Sequence, residues 1–368
     1  MAMLGMDSFD HYATADLTQK WAQIASAPTH APAVGAYGRN STSGVRWDVS
    51  GGSSNRCGKS LYYTPKVTPS GAVCIPGFAF KHGDAGFTNL TTATGADPNG
   101  GGTTAAVILY VLQGGSTQVY FRLNTTGYIQ AYRGDNTLLG TATAPLLQDT
   151  YHFLEFKITI DDTAGAIEIR KDGATVLSLT ATDTKNTSSA TWDQVAIGHI
   201  ANLLASAMTW SYDDFRVMDG TGSQCNDFLG DRRVGATLVT GDGASTQFTP
   251  LSGSNYQNVD ESSADGATTY NESSTVGHID TFTHGAVPLA GATVDAVQLV
   301  CQGLKTDAGT VGHKGVLRIS STNYKSSELN PASSYAFLCS IWELNPASSA
   351  SWTTAVVDAM EVGYEKSS

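Results

Sequence analysis

Between Tyr151 and Thr180 the sequence alternates apolar and polar residues through three successive runs. Leu154, Phe156, Ile158 and Ile160 share one face, while Glu155, Lys157, Thr159 and Asp161 share the other. A period of two is the signature of a strand with one buried face. A turn follows at Asp162 to Gly165, and Ile167 and Ile169 then alternate with Glu168 and Arg170. Asp172-Gly173 supplies a two-residue turn, because glycine accepts the positive φ that such turns require. Val176 to Leu179 completes a three-stranded meander. A sheet with one apolar face must be covered by a second layer, which points to a β-sandwich.

Further strand signals run from residue 45 to 217. Val45 to Val49 alternates, and Ala72 to Phe80 is apolar but interrupted by Pro76-Gly77, which predicts an edge strand or a bulge. Thr104 to Gln113 reads as a strand buried on both faces. Gly114-Gly115 is a turn, and Gln118 to Leu123 returns. Gln194 to Ile200 and Trp210 to Val217 are two more strands. At the N-terminus, Asp7 to Tyr12 reads as an edge strand expected to pair with residues 212–217. Thr14 then caps a short helix carrying Leu17, Trp21 and Ile24.

The composition changes after Val217. Residues 226–290 are rich in Ser, Thr, Gly and Asp, and read as extended arms with a short strand at Gly235 to Thr240. Val294 to Cys301, Gly315 to Ser320 and Tyr335 to Trp342 are strand candidates. Ser351 to Met360 reads as a capped helix and Glu361 to Tyr364 as a last strand. The run Glu328 to Ser334 recurs as Glu343 to Ser349, and its Asn-Pro pair predicts turns at strand ends. The expected organisation is all-β, with a sandwich over residues 1–219, a linker over 220–230 and a smaller β-sandwich over 231–368.

Charge narrows the function. The formal net charge of -12 and a charged fraction of 15% leave no clustered basic surface for nucleic-acid phosphates. No apolar run reaches the roughly 18–20 residues of a membrane-spanning helix; the longest, Ala105 to Leu112, fits a buried strand. The N-terminus lacks a basic region followed by an apolar core, so no secretory signal is expected. Cys57, Cys74, Cys225, Cys301 and Cys339 are scattered without a CxxC pair, and free thiols are expected.

Chemical motifs are sparse. Gly58-Lys59-Ser60 resembles the end of a phosphate-binding loop, but Ser53 stands where a glycine is needed, and an ordinary loop is expected. The paired carboxylates of a sandwich glycosidase, spaced Glu-x-Asp-x-x-Glu, do not occur, so no glycosidase activity and no enzyme is expected. Asp213 and Asp214 are expected on opposite faces of their strand, one bonding turn backbone. The histidines, including His82, His152, His199, His278, His284 and His313, show no metal spacing. Tyr110, Tyr120, Tyr128 and Tyr132 are candidates for a sugar-binding face, weighed against core or interface roles.

The meander with Trp210-Ser211-Tyr212-Asp213-Asp214-Phe215-Arg216-Val217 resembles the concanavalin A-like, laminin G-like jelly roll over residues 5–220. Asn226 to Val234, Gly243 to Pro250, Ser254-Asn255-Tyr256 and Thr268-Thr269-Tyr270 resemble segments of bacteriophage virion proteins, and Ile341-Trp342-Glu343 with Trp352 to Gly363 fit the same set. The resemblance implies an all-β chain, a concanavalin A-like jelly-roll sandwich followed by a second, smaller β-sandwich. It implies a structural, tail-associated component of the virion, assembled in the bacterial host cytoplasm. A receptor- or glycan-binding adsorption module and a head decoration protein are the alternatives. The implied partners are other virion proteins, further copies of the chain and a host surface glycan. Residues 231–368 are expected to dock into the particle, and Phe228, Tyr256, Tyr270, Trp342 and Trp352 are the interface candidates, so a chain ending at Asp219 is expected to fold but not to enter particles. No cofactor is expected beyond calcium, for which Asp84, Asp161 and Asp162 are the candidates.

Overall fold

The structure is a computed structural model that describes residues 2–25, 31–49, 59–83, 106–200, 208–289 and 291–368. The chain divides into two compact units. One comprises Met1–Phe9 and Trp21–Val234, the other Asp10–Lys20 and Gly235–Ser368. Asp84, Cys57 and the glycine-rich residues 51–58 lie outside the described residues, and with them the Cys57 thiol. Cys74, Cys225, Cys301 and Cys339 are free thiols.

The strands of the first unit, in chain order, are β1 (Met3–Asp7), β2 (Ala22–Ala25), β3 (Ala33–Gly35), β4 (Gly44–Val49), β5 (Lys59–Tyr63), β6 (Val73–His82) and β7 (Ala106–Gln113). They continue with β8 (Ser116–Leu123), β9 (Ile129–Arg133), β10 (Leu138–Thr141), β11 (His152–Thr159), β12 (Ala166–Lys171), β13 (Ala174–Leu179), β14 (Gln194–Ile200) and β15 (Met208–Met218). One antiparallel sheet runs β13-β12-β11-β6-β15-β4-β3, with β1 also on β15; the other runs β10-β9-β8-β7-β14-β5-β2. The meander of the sequence is β11-β12-β13, and Asp172 and Gly173 both take positive φ in its turn. The inner faces pack aromatic rings, with Phe121 of one sheet 4.7 Å from Phe156 of the other. Phe156 also lies 5.7 Å from Phe78.

Three local expectations are corrected. The N-terminal strand does pair with β15, but it is β1 at Met3–Asp7 that does so, with Asp7 opposite Phe215. The buried Asp7 carboxylate ends the strand: it accepts from Phe9 N at 2.9 Å and Trp21 Nε1 at 2.7 Å, and Phe9 turns to positive φ. The following helix is one turn, α1 (Leu17–Lys20), and Ile24 belongs to β2. Pro76-Gly77 lies in a central strand rather than at an edge. The irregularity sits in the partner, where β15 bulges between Asp213 and Arg216 opposite Ala79 and Gly77. A bulge is where a strand tolerates the missing donor of proline.

Residues 220–234, including the expected linker, are tied to the first sheet. Glu155 Oε1 accepts from Arg216 Nη2 at 2.5 Å and from Leu229 N and Gly230 N at 3.0 Å each, and Arg216 also donates to Gly230 O. Val234 N donates to Asp214 Oδ1 at 2.6 Å. A buried ion pair depends on further hydrogen bonds, and this segment supplies three of them, from Leu229 N, Gly230 N and Gly230 O.

The second unit holds β16 (Val239–Thr246), β17 (Thr249–Pro250), β18 (Asn271–Glu272), β19 (Ile279–His284), β20 (Thr293–Val294), β21 (Val297–Gly303) and β22 (His313–Ile319). After them come β23 (Thr322–Lys325), β24 (Ala336–Trp342), β25 (Trp352–Thr353), helix α2 (Thr354–Ala359) and β26 (Glu361–Lys366). Its main sheet runs β16-β19-β26-β22-β23, and β21 pairs with β24. Leu317, Ile319, Trp352, Val357 and Met360 form its apolar core, with Val297, Trp342 and Val362 packed against them. The helix is capped by Thr353, whose hydroxyl accepts from Val356 N, and not by Ser351.

Residues 226–290 are not extended arms. Their order comes from polar groups. Asp280, fully buried, accepts from Gln247 N and Phe248 N through Oδ1, and from Asn255 Nδ2 through Oδ2. Asn258 Nδ2 donates to Ser252 O and Ser254 O. Gly363 makes this packing possible, since a Cβ there would lie 1.9 Å from Asp280 O.

Candidate functional site

Alternation decides which face of the second sheet each side chain reaches. Phe121 points inward to Phe156, so Tyr120 points to the outer face. Tyr120 is paired with Tyr110 on β7 and with Tyr132 on β9. Tyr110 is in turn paired with Ala196, and Ala196 with Tyr62. One row of cross-strand partners therefore carries four tyrosines over β5, β14, β7, β8 and β9. Direct partners in an antiparallel sheet stand close enough for rings to touch. The Tyr120 and Tyr132 rings stack at 5.1 Å with 9° between planes, and Tyr110 lies 5.8 Å from Tyr120.

Two residues further along, the neighbouring row is polar. Arg122 is opposite Val107 and Gln130, and Gln130 is opposite Thr141. The Arg122 guanidinium lies over the Tyr132 ring, 4.3 Å from its centroid. It donates to the Tyr132 hydroxyl and, through Nε, to Gln130 Oε1 at 3.3 Å. Tyr132 donates to the same Gln130 oxygen at 3.2 Å, and Tyr120 donates to Asn136 Oδ1 at 2.8 Å. Tyr110 and Tyr120 are each 1% exposed and Tyr132 8%, so the rings are a buried cluster with Tyr62, Val107, Leu112 and Ala196, and it is the polar groups at its edge that reach solvent. Arg122 and Gln130 are half-buried and Asn136 is exposed. The arrangement offers an aromatic base with a guanidinium, an amide and hydroxyls at its edge, groups suited to the hydroxyls and carboxylates of a sugar chain.

Of the four tyrosines singled out in the sequence, three meet here. Tyr128 does not: it closes the turn after β8, its N–H donating to Asn124 Oδ1. Tyr62, Arg122, Gln130 and Asn136 were missed. The available signal was the spacing Tyr120-x-Arg122 and Gln130-x-Tyr132, which puts polar residues on the tyrosine face.

The other candidates lie elsewhere. Asp161 closes an exposed turn, where the N–H groups of Ala164 and Thr163 hold its carboxyl below the usual range. Asp162 pairs with Lys185 at 2.6 Å. No group of three or more His, Cys, Asp or Glu side chains able to hold a metal occurs among the described residues. Asp161 is held by the N–H groups of its turn and Asp162 by Lys185, so the two described calcium candidates are not brought together in such a group.

Trp352, expected at an interface, is a core residue, 3% exposed, whose indole donates to Trp342 O. Trp342 is half-buried against the same core. Phe228 is half-buried beneath the Arg170 guanidinium at 3.9 Å, and Tyr256 and Tyr270 are half-buried.

Asp213 and Asp214 do not point to opposite faces. Asp214 takes positive φ within the bulge, and both carboxylates turn to the loop at Arg39. Asp213 Oδ2 accepts from Arg39 N at 2.9 Å and Thr42 Oγ1 at 3.1 Å, while Asp214 pairs with the Arg39 side chain.

His152 Nδ1 lies 2.6 Å from Asp172 Oδ2, and its Nε2 accepts from Leu147 N. That bond fixes the tautomer and occupies the nitrogen a nucleophile would need. His82 and His313 are each pulled down to about 4 by burial.

No protein-family model matches the chain, and no curated protein matches it in sequence. Solved structures of similar fold include a sialidase, at 10% identity and a TM-score of 0.40, over 59% of this chain and 18% of the sialidase. The chain thus spans less than a fifth of that protein's length. An alginate lyase from Corynebacterium sp. is similar at 15% identity and a TM-score of 0.34, over 53% of this chain and 82% of the lyase. A carbohydrate esterase from the Shiga toxin-encoding bacteriophage phi24B is similar at 15% identity and a TM-score of 0.34, over 58% of this chain and 99% of the esterase. The likeness is one of fold, and no residue role is taken from it.

These neighbours overturn the expectation that the chain is not an enzyme, since the structures it resembles are carbohydrate-active enzymes. The expectation rested on the missing carboxylate pair. That pair belongs to one reaction class, and elimination or ester hydrolysis employs other groups.

Proposed function

We propose that the chain is a glycan-binding β-sandwich protein of a bacteriophage particle, a jelly roll that engages a surface glycan on its tyrosine face. The observation that carries the reading is the in-register row of Tyr62, Tyr110, Tyr120 and Tyr132 bordered by Arg122 and Gln130. The four phenols form a buried aromatic cluster on that face, and the half-buried Arg122 and Gln130 at its edge are what a ligand would meet. The polar groups at its edge converge on one place. The particle assignment is supported by the resemblance of residues 226–270 to virion proteins.

A glycan array probed with the whole chain tests the reading. Binding is expected, and Tyr132→Ala and Arg122→Ala are expected to weaken it about tenfold or more while the protein stays folded. Incubating any retained glycan with the chain and following its length reports cleavage in the same experiment. Retention unchanged in both variants would place the ligand elsewhere. Mass spectrometry of purified particles, with the chain expected among the particle proteins, tests the rest.

A further inference from the structure

We infer that the glycan taken by this face is acidic, and that Arg122 binds its carboxylate. The inference rests on the glycan-binding reading and concerns the same site. It starts from a comparison of the arginines that are at least half-buried. Arg39, Arg46, Arg133, Arg170, Arg216 and Arg318 each have an Asp or Glu oxygen within ion-pair distance. Arg122 has none among the described residues. Its partners are an amide oxygen, a phenol and an aromatic ring.

Removing a guanidinium from water without a counter-ion is costly, and the other half-buried or buried arginines among the described residues avoid that cost. The neutral partners of Arg122 orient the group without neutralising it. Arg122 donates to Tyr132, Tyr132 to Gln130, and Gln130 Nε2 to Thr141 Oγ1, so the relay ends on a hydroxyl and no carboxylate enters it. The Tyr132 ring fixes the guanidinium plane, and Nη1 makes no bond among the described residues. A planar fork held in place with a free edge is the geometry that takes a carboxylate through two parallel bonds. With a net charge of -12, the chain as a whole repels a polyanion. Affinity for one therefore depends on this short-range pair, and a lysine, which lacks the fork, will not replace the arginine.

The test uses the whole chain on an array of uronate- and sialate-bearing glycans, each beside its carboxyl-reduced counterpart. The expected result is retention of acidic glycans, weaker by about tenfold or more after carboxyl reduction. Arg122→Gln is expected to bind the acidic and reduced forms equally weakly, and Arg122→Lys to recover little. The comparison of acidic with reduced glycan on the unmodified protein needs no variant, so a folding defect in either substitution leaves the test intact. Equal retention of both forms, lost in Tyr132→Ala but not in Arg122→Gln, overturns the acidic ligand and leaves glycan binding standing. No retention of any glycan overturns both.

Discussion

The two units reach order by different means. The first is a sandwich whose interior is aromatic and aliphatic, with Phe78, Phe121 and Phe156 in contact across the sheets. The second has a smaller apolar core around Trp352, and its long polar segment is fixed by hydrogen bonds to a buried carboxylate, Asp280. Burial of apolar area is non-directional and tolerates neighbours of similar volume. A buried carboxylate is directional, and each donor it loses is left unsatisfied. The first unit should therefore tolerate swaps that conserve apolar volume and fail where volume is lost, whereas the segment around Asp280 should fail when acceptors are lost.

The sharpest test of that contrast is Phe156→Ala, which empties the centre of the first sandwich. A loss of about 3–5 kcal/mol is expected, seen in hydrogen exchange as lost protection over β6 and β11 while β19 and β26 keep theirs. Asp280→Ala should act in the opposite place. It removes an acceptor from Gln247 N, Phe248 N and Asn255 Nδ2, for about 3 kcal/mol, with exchange rising over residues 247–258. Asp280→Asn, which keeps one acceptor, should cost about half as much. Equal effects of the Ala and Asn changes would mean that volume, not bonding, holds the segment, and the contrast between the units would collapse.

A third effect separates the units by pH. Burial, and then the charge of Asp214, push the Asp213 carboxyl up to about 7. Arg39, Thr42 and the Tyr151 hydroxyl are the other groups that bear on this cluster. Its value in the folded chain exceeds that of an unfolded aspartate, about 4, so the folded state holds the proton more tightly. The stability it contributes is complete below about pH 4 and is lost as the pH rises to about 7. A change of at most about 4 kcal/mol is expected across that window, confined to the first unit. The difference between the wild-type curve and that of Asp213→Asn isolates it, and two parallel curves would show that Asp213 does not titrate there.

The same contrast explains what the sequence could reveal. The β11-β12-β13 meander was legible because one face of each strand meets an apolar layer and the pattern repeats every two residues. Asp280 has no such pattern: its partners lie 32 and 33 residues away, and a run of Ser, Thr and Gly looks alike whether it is solvated or bonded inward. β1 was displaced because the strand is ended by a side chain, Asp7, rather than by a turn residue. Asp213 and Asp214 were placed on opposite faces because strict alternation was applied through a bulge. At the candidate site, the tyrosines were visible as residues but not as a row. That row depends on the register of five strands, and Arg122 stands out only when the partners of every other arginine are known.

The chain leaves the first unit after Phe9 and re-enters it at Trp21. The intervening segment belongs to the second unit, where Tyr12 and His11 pack on Phe337, and Gln19 accepts from Gln302. This stretch is synthesised before most of the first sandwich, yet Gln302, which meets Gln19, follows 283 residues later. A nascent chain that has completed the first sandwich still carries an early segment awaiting its late partner. The emergence of Val234 therefore does not let the second unit close; that waits for β24. Gene fragments cut near that residue would separate α1 from the β24 surface it completes.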